Sequence, residues 1–245
     1  MSLPVESGLF WALAIIGVLL TGISKSGFAG GAGVVAVPLL AFVVSVPQAT
    51  ALMLPLLLVM DAHTVHYYRK HIDSEAIKSL LPAALLGIVV GGLSLGVFPD
   101  QTLQLLLGIF SVVFAVWSRL LPFFSRLKGA GFIWGGIAGF TSTLIHSGGP
   151  PLQIYLLSRR LPKLTWLATA GVMFAAMNVV KIIPYGFTAD WSRQMLLIAL
   201  LLIPAALLGV KLGHMMQGRL SEALFTDICR YCLLGTGILL VIKAF

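Results

Sequence analysis

Charge is what this sequence lacks most. Only 10% of its 245 residues are Asp, Glu, Lys or Arg, against about a quarter in an average soluble domain. Between Gly8 and Val65 the formally charged side chains are Lys25 and Asp61 alone, and from Gly129 to Ser158 there are none. A soluble fold has no place for such runs, because a small domain leaves much of its surface in water. Cysteine is almost absent as well. Cys229 and Cys232 stand in one apolar segment, with no second soft-ligand pair to complete a zinc site, so they read as small packing residues. The net charge of +8 comes without a long basic run, which removes the usual signature of a nucleic-acid partner.

Apolar length is what the sequence has. Hydrophobic residues make up 59% of it and the mean hydropathy is +1.03. A helix that spans the hydrocarbon layer needs about 20 apolar residues, and the chain supplies such stretches repeatedly. The expected fold class is an all-α polytopic membrane protein. The first stretch, Gly8–Leu20, follows Glu6 and no basic residue, so it reads as a membrane span and not as a cleaved signal.

The chain also contains a copy of itself. Pro82-Ala83-Ala84-Leu85-Leu86-Gly87 recurs as Pro204-Ala205-Ala206-Leu207-Leu208-Gly209, and at the same offset Gly91 meets Gly213, Gly96 meets Gly218 and Asp100 meets Glu222. With small gaps, Gly30-Gly31 aligns with Gly148-Gly149, Val46-Pro47 with Leu161-Pro162, His63 with Asn178 and His66 with Lys181. This divides the chain into repeats over residues 1–124 and 125–245. In the first repeat the basic loops are Tyr68–Lys78 and Arg119–Lys128. In the second they are Ser158–Lys163 and Lys211–Arg219, whereas the counterpart of Tyr68–Lys78, around Tyr185–Asp190, has no Lys or Arg. Equivalent loops of opposite bias indicate inverted-topology repeats, with the basic loops in the cytoplasm and both termini in the periplasm.

Three segments per repeat read as ordinary spans: Ala49–His66, Ile77–Val97 and Thr102–Leu121, then Leu164–Tyr185, Ser192–Gly213 and Ala223–Ile242. Glycines four apart, Gly87/Gly91 and Gly209/Gly213, favour close helix approach. Ahead of them, each repeat starts with a helix and a broken or re-entrant partner. Gly8–Ser24 precedes Gly-rich Ser26–Gly33 and Val34–Val44; Ala130–Ile145 precedes Ser147–Pro151 and the short Leu152–Leu157. About ten membrane segments follow from this reading.

Paired breaks at matching places in two inverted halves point to a transport site, since irregular backbone survives in a membrane only beside a cavity or inside protein. Free N–H groups at half-helix N-termini and bare glycine backbone suit a small anion. The predicted binding set is Ser24, Lys25, Gly30, Gly31, Gly33, Thr141, Ser142, His146, Gly148, Gly149 and Gln153, with His146 open between binding the anion, relaying a proton and capping the helix break. Asn178 and Lys181 join them, because with Tyr185 they share one helix face. Asp61 either pairs with Lys25 or relays a proton, and His63 stands close enough in sequence to share that role. Asp227 and Arg230 are spaced for a local pair. A metal-cation permease would want converging carboxylates or thiolates, and an intramembrane enzyme a nucleophile–base or multi-histidine set; the pattern offers little of either. No cofactor is called for.

Gly30-Gly31-Ala32-Gly33 before Val37-Pro38-Leu39-Leu40, then Pro47, Thr50, Asp61 and Tyr68-Arg69-Lys70-His71-Ile72-Asp73, together with Gly148-Gly149-Pro150, Thr169, Asn178-Val179-Val180-Lys181, Tyr185 and Gly186, resemble the sulfite exporter TauE/SafE family along nearly the whole chain. The resemblance implies a permease of the bacterial inner membrane for sulfite, sulfonates, sulfoacetate or related organic anions. A co-transported proton and a homodimer are compatible with it.

Overall fold

A computed structural model of the chain describes residues 3–28, 35–117, 129–216 and 222–245. These residues form ten α-helices and no strand: α1 Gly8–Gly27, α2 Ala36–Leu40, α3 Val46–Tyr68, α4 Ser74–Ser94, α5 Asp100–Trp117, α6 Ala130–Ile145, α7 Gly149–Ser158, α8 Lys163–Thr188, α9 Arg193–Met216 and α10 Glu222–Lys243. Among the described residues α1, α3, α4, α8 and α9 are long and apolar enough to cross a membrane, and Asp100–Val113 and α6 are shorter apolar helices. The protein is therefore an all-helical, multi-pass membrane protein.

Local chemistry starts the helices where they start. Ser7 accepts from Phe10 N at 3.4 Å, and Ser45 with Gln48 closes a capping box at α3, each satisfying N–H groups that have no partner inside the helix. The return after the first break is mostly turn: only Ala36–Leu40 is helical. The return after the second break is longer than Leu152–Leu157. Pro150 and Pro151 lie in its first turn, where a missing N–H does no harm.

The segments before and after residue 124 interleave: α4 packs along α6, α9 along α1, while α3 meets α8 and α5 meets α10. Glycine makes the closest crossings, as expected for membrane helices that approach through small residues. Gly87 faces Gly136 and Phe140, and Gly91 faces Phe140 and Thr143; Gly209 faces Leu19 and Gly22, and Gly213 faces Ile23 and Ser26. In these contacts Leu19 and Gly136, Ile23 and Phe140, and Ser26 and Thr143 each stand 117 positions apart, the separation of Asp61 from Asn178. That offset corrects the pairing of His63 with Asn178 and His66 with Lys181. Along α3 and α8 it matches buried Asp61 with buried Asn178, Thr64 with Lys181 and Tyr68 with Tyr185, whereas His63 is exposed.

Contacts sort the connections into two ends. At one, Arg159 bonds Asp73 at 3.1 Å and Glu75 at 2.9 Å, Tyr67 stacks on His214, and Tyr68 Oη donates to the Ser26 carbonyl. Here lie Arg69, Lys70, Lys78, Arg159, Arg160 and Lys163. Partial burial pushes the Asp73 pKa up, but N–H donors of Ala76 and Glu75 and the Arg159 guanidinium outweigh it and hold the carboxyl below its usual range. At the other end Gln194 reaches the Leu3 carbonyl, Val46 N donates to Asp100, Gln101 bonds the Ala244 carbonyl, and Lys243 reaches the carbonyls of Ala41 and Phe42.

The glycine crossings generate a stability test. A Cβ at Gly209 would stand 2.7 Å from the Leu19 carbonyl oxygen, while one at Gly235 meets nothing within 4 Å. Gly209→Ala should destabilise the detergent-solubilised protein by about 1–3 kcal/mol, read as a lower Tm, and Gly235→Ala should leave Tm equal or higher.

Candidate functional site

The site is built where α1, α3, α6 and α8 meet. α8 turns Asn178, Lys181 and Tyr185 inward, all buried, and exposes Val179, Ile182 and Ile183 on its other side. The shared face read from their spacing is therefore the packed face. On α1, Lys25 reaches Asp61 of α3, Nζ to Oδ1 2.5 Å, with the Phe174 ring centroid 4.8 Å from the ammonium. The second Asp61 oxygen accepts from Asn178 Nδ2 at 2.5 Å. Asp61 thus pairs with Lys25, one of the two roles open to it, and both partners are nearly out of solvent.

Beside this trio stands a second cluster of different character. Lys181 is fully buried. Its Nζ lies 3.0 Å from both the carbonyl and the hydroxyl oxygen of Ser142, and 2.8 Å from His146 Nδ1. His146 Nε2 lies 2.8 Å from the Thr50 carbonyl. A carbonyl only accepts, so Nε2 carries the hydrogen, and the bonding network leaves Nδ1 free to accept from Lys181. Pro55 helps from α3: having no N–H, it cannot bond the Ala51 carbonyl and loosens the ladder beside Thr50. The Tyr185 ring stacks on His146 with centroids 5.8 Å apart, and its hydroxyl donates to the Thr143 carbonyl at 2.7 Å.

His146 also carries backbone strain. It ends α6 in the left-handed region, φ 53°, a position that normally takes Gly or Asn. For a residue with a side chain this costs on the order of 1–2 kcal/mol, and the ring's bonds to Thr50 and Lys181, with its stacking on Tyr185, hold it there. Strain of this kind collects at functional positions.

The remaining predicted residues are placed around these clusters. Ser24 is wholly buried and its hydroxyl has no partner among the described residues. Thr141 Oγ1 donates to the Ser147 carbonyl at 3.0 Å and Ser147 N returns a bond to Thr141 O, which ties down the break. Gly148 lies against Ala138 and Ser142, where a Cβ would meet both at 2.7 Å. Gly149 opens α7 and is buried, and Gln153 is half-buried on it. Pro150 and Pro151 lack N–H groups and Leu152 N already bonds Gly148 O. The half-helix terminus therefore offers fewer free donors than the glycine pattern suggested, and side chains carry more of the site. Gly30, Gly31 and Gly33 lie outside the described residues. His63 turns away from the site, its ring on the Val59 carbonyl of its own helix. Asp227 and Arg230 do form the local pair, at 3.1 Å. The sequence reading did not name the Thr50 carbonyl, Phe174, or Tyr68 with His214; a main-chain acceptor has no residue-type signal, and the others become visible only once the 117-residue register is known.

Apolar helices closed around a buried ionic cluster, with a helix break at its edge, define a multi-pass membrane protein with a polar centre. The sequence model of the sulfite exporter TauE/SafE family matches residues 13–240, and the chain belongs to that family. Comparison with curated proteins and with solved structures found no match.

The Lys25–Asp61 pair can be weighed by a double-mutant cycle. Lys25→Met or Asp61→Leu alone leaves a buried charge uncompensated and should destabilise by about 3–5 kcal/mol. The double variant should cost far less than the sum of the two, measured as Tm in detergent.

Proposed function

We propose that this protein moves a small oxyanion of the sulfite, sulfonate or sulfoacetate class across the bacterial inner membrane, by alternating access between two inverted halves. One observation carries the anionic substrate. Lys181 is fully buried, and its partners among the described residues are all neutral: a carbonyl, a hydroxyl and an imidazole nitrogen. An ammonium out of water needs a counter-charge, and the neighbouring carboxylate, Asp61, is already held by Lys25 and Asn178. An anion arriving beside Lys181 supplies that charge. The Ser142 hydroxyl and the unpartnered Ser24 hydroxyl are donors of the kind an oxyanion accepts. A transported metal cation would instead have to displace Lys25 from Asp61.

The inverted arrangement is supported by equivalent bonds at opposite ends. Tyr68 donates to Ser26 and Tyr185 to Thr143, each across 42 positions and each at 2.7 Å. The first bond lies at the basic end with Arg69 and Arg159. Tyr185 lies toward the other end, where its own carbonyl accepts from Trp191. With the basic loops in the cytoplasm, both termini face the periplasm. The substrate class and the export direction follow the family's printed name and its resemblance, not the geometry.

Two experiments test this. Lys181→Met should lose sulfoacetate or sulfite binding by about 10- to 100-fold, the worth of a charged hydrogen bond, measured by calorimetry on purified protein. The same variant should keep or raise Tm, because it removes a buried charge; unchanged affinity would reject Lys181 as the anion's partner. Single cysteines at positions 69 and 159 should react with a membrane-impermeant thiol reagent only from the cytoplasmic side, and cysteines at 101 and 190 only from the periplasmic side. Labelling of 69 and 159 on opposite sides would replace inversion by parallel repeats.

A further inference from the structure

The surroundings of His146 fit two protonation states at once, and this goes beyond anion binding. Nδ1 lies 2.8 Å from Lys181 Nζ, a donor, and 3.0 Å from the Ser142 carbonyl, an acceptor. Nδ1 cannot serve both together. Unprotonated, it accepts from the Lys181 ammonium. Protonated, it donates to Ser142 O. Nε2–H keeps its bond to the Thr50 carbonyl in either case. An ammonium and an imidazolium with nitrogens this close repel strongly where water is excluded, so the free site holds one proton across the two bases.

We propose that His146 takes up a proton with the anion, making the carrier an anion–proton symporter at this site; this rests on the reading of Lys181 as the anion's partner. The sequence of events balances. An oxygen of the anion accepts one Lys181 N–H, and that bond leaves Nδ1. Nδ1 then takes up a proton of the bulk solution on the side from which the anion entered, and the new imidazolium donates to Ser142 O. The anion's negative charge offsets the added positive one, and release of the anion restores the repulsion and expels the proton. The other titratable groups facing the pair do not replace His146. On α1 and α3, Lys25 and Asp61 are engaged with each other, and on α8 the Tyr185 hydroxyl is committed to Thr143. From α6 and α7, Ser142, Thr143 and Ser147 present no ionisable group in this range.

Calorimetry tests it with the full chain in detergent, titrating sulfoacetate, ethanesulfonate and sulfate, none of which takes up a proton near neutral pH. Binding is measured in two buffers of different ionisation enthalpy, and as a function of pH. Wild type should take up about one proton per anion, and affinity should rise as pH falls by up to about tenfold per unit, as reciprocal linkage requires. His146→Asn keeps a side chain suited to the left-handed cap but cannot be protonated. It should bind the anion with no proton uptake and a flat pH dependence. Binding by wild type without proton uptake overturns the proposal and leaves anion transport standing. Uptake that persists in His146→Asn overturns the assignment to His146. If no anion of the three binds wild type, the anion reading fails and this inference with it. The wild-type pH series decides the matter even if the variant does not fold.

Discussion

Water is excluded between these helices, so every polar or charged group placed there must find its partner within the protein or in what the protein carries. That constraint accounts for the order found inside. Asp61 is matched on both oxygens, Tyr68 and Tyr185 each cap a carbonyl near the end of a helix, and Thr50, whose helix is loosened by Pro55, offers its carbonyl to His146. Lys181 meets the constraint only halfway. Its hydrogen bonds are made, but none of the partners that make them carries a negative charge.

Close helix approach makes the rest of the architecture available. With lipid tails as apolar as leucine, helix association gains little from burying apolar surface and depends on packing. Glycines at Gly87, Gly91, Gly209 and Gly213 let α4 lie against α6 and α9 against α1. Both crossings join a helix before residue 124 to one after it. Neither side closes its own core: one apolar cluster combines α1, α2 and α3 with α9, the other α4 with α6, α7 and α8. The two sides are therefore not separately packed bodies.

Much of this was legible in the sequence because the membrane restricts what a segment can be. Scarce charge and long apolar runs identify the helices to within a few residues, as α3 and α8 show. The inward face of α8 follows from the spacing of Asn178, Lys181 and Tyr185. What was not legible had physical causes too. Apolar segments align about equally well at neighbouring offsets, so letters alone paired His63 with Asn178; only burial and bonding select the register that pairs Asp61 with it. The glycine-rich second break suggested backbone donors, but Pro150 and Pro151 withhold theirs. The Thr50 carbonyl is a main-chain group that any residue type would carry.

The corrected register explains why the site is lopsided. It pairs Lys25 with Ser142, Asp61 with Asn178 and Thr64 with Lys181. Each half therefore contributes one buried lysine, but from different helices, α1 in the first half and α8 in the second. Only the first half keeps a carboxylate. Asn178, standing where symmetry would put a second one, is neutral and can donate to Asp61 instead of repelling it at 2.5 Å. With an aspartate at both positions, the cluster would hold two lysines and two carboxylates, and no charge would remain for an anion to answer. With asparagine in one of them, a single ammonium is left over beside a histidine and a helix break. The departure from symmetry, more than the symmetry, is what suits the centre of this protein to the proposed anion.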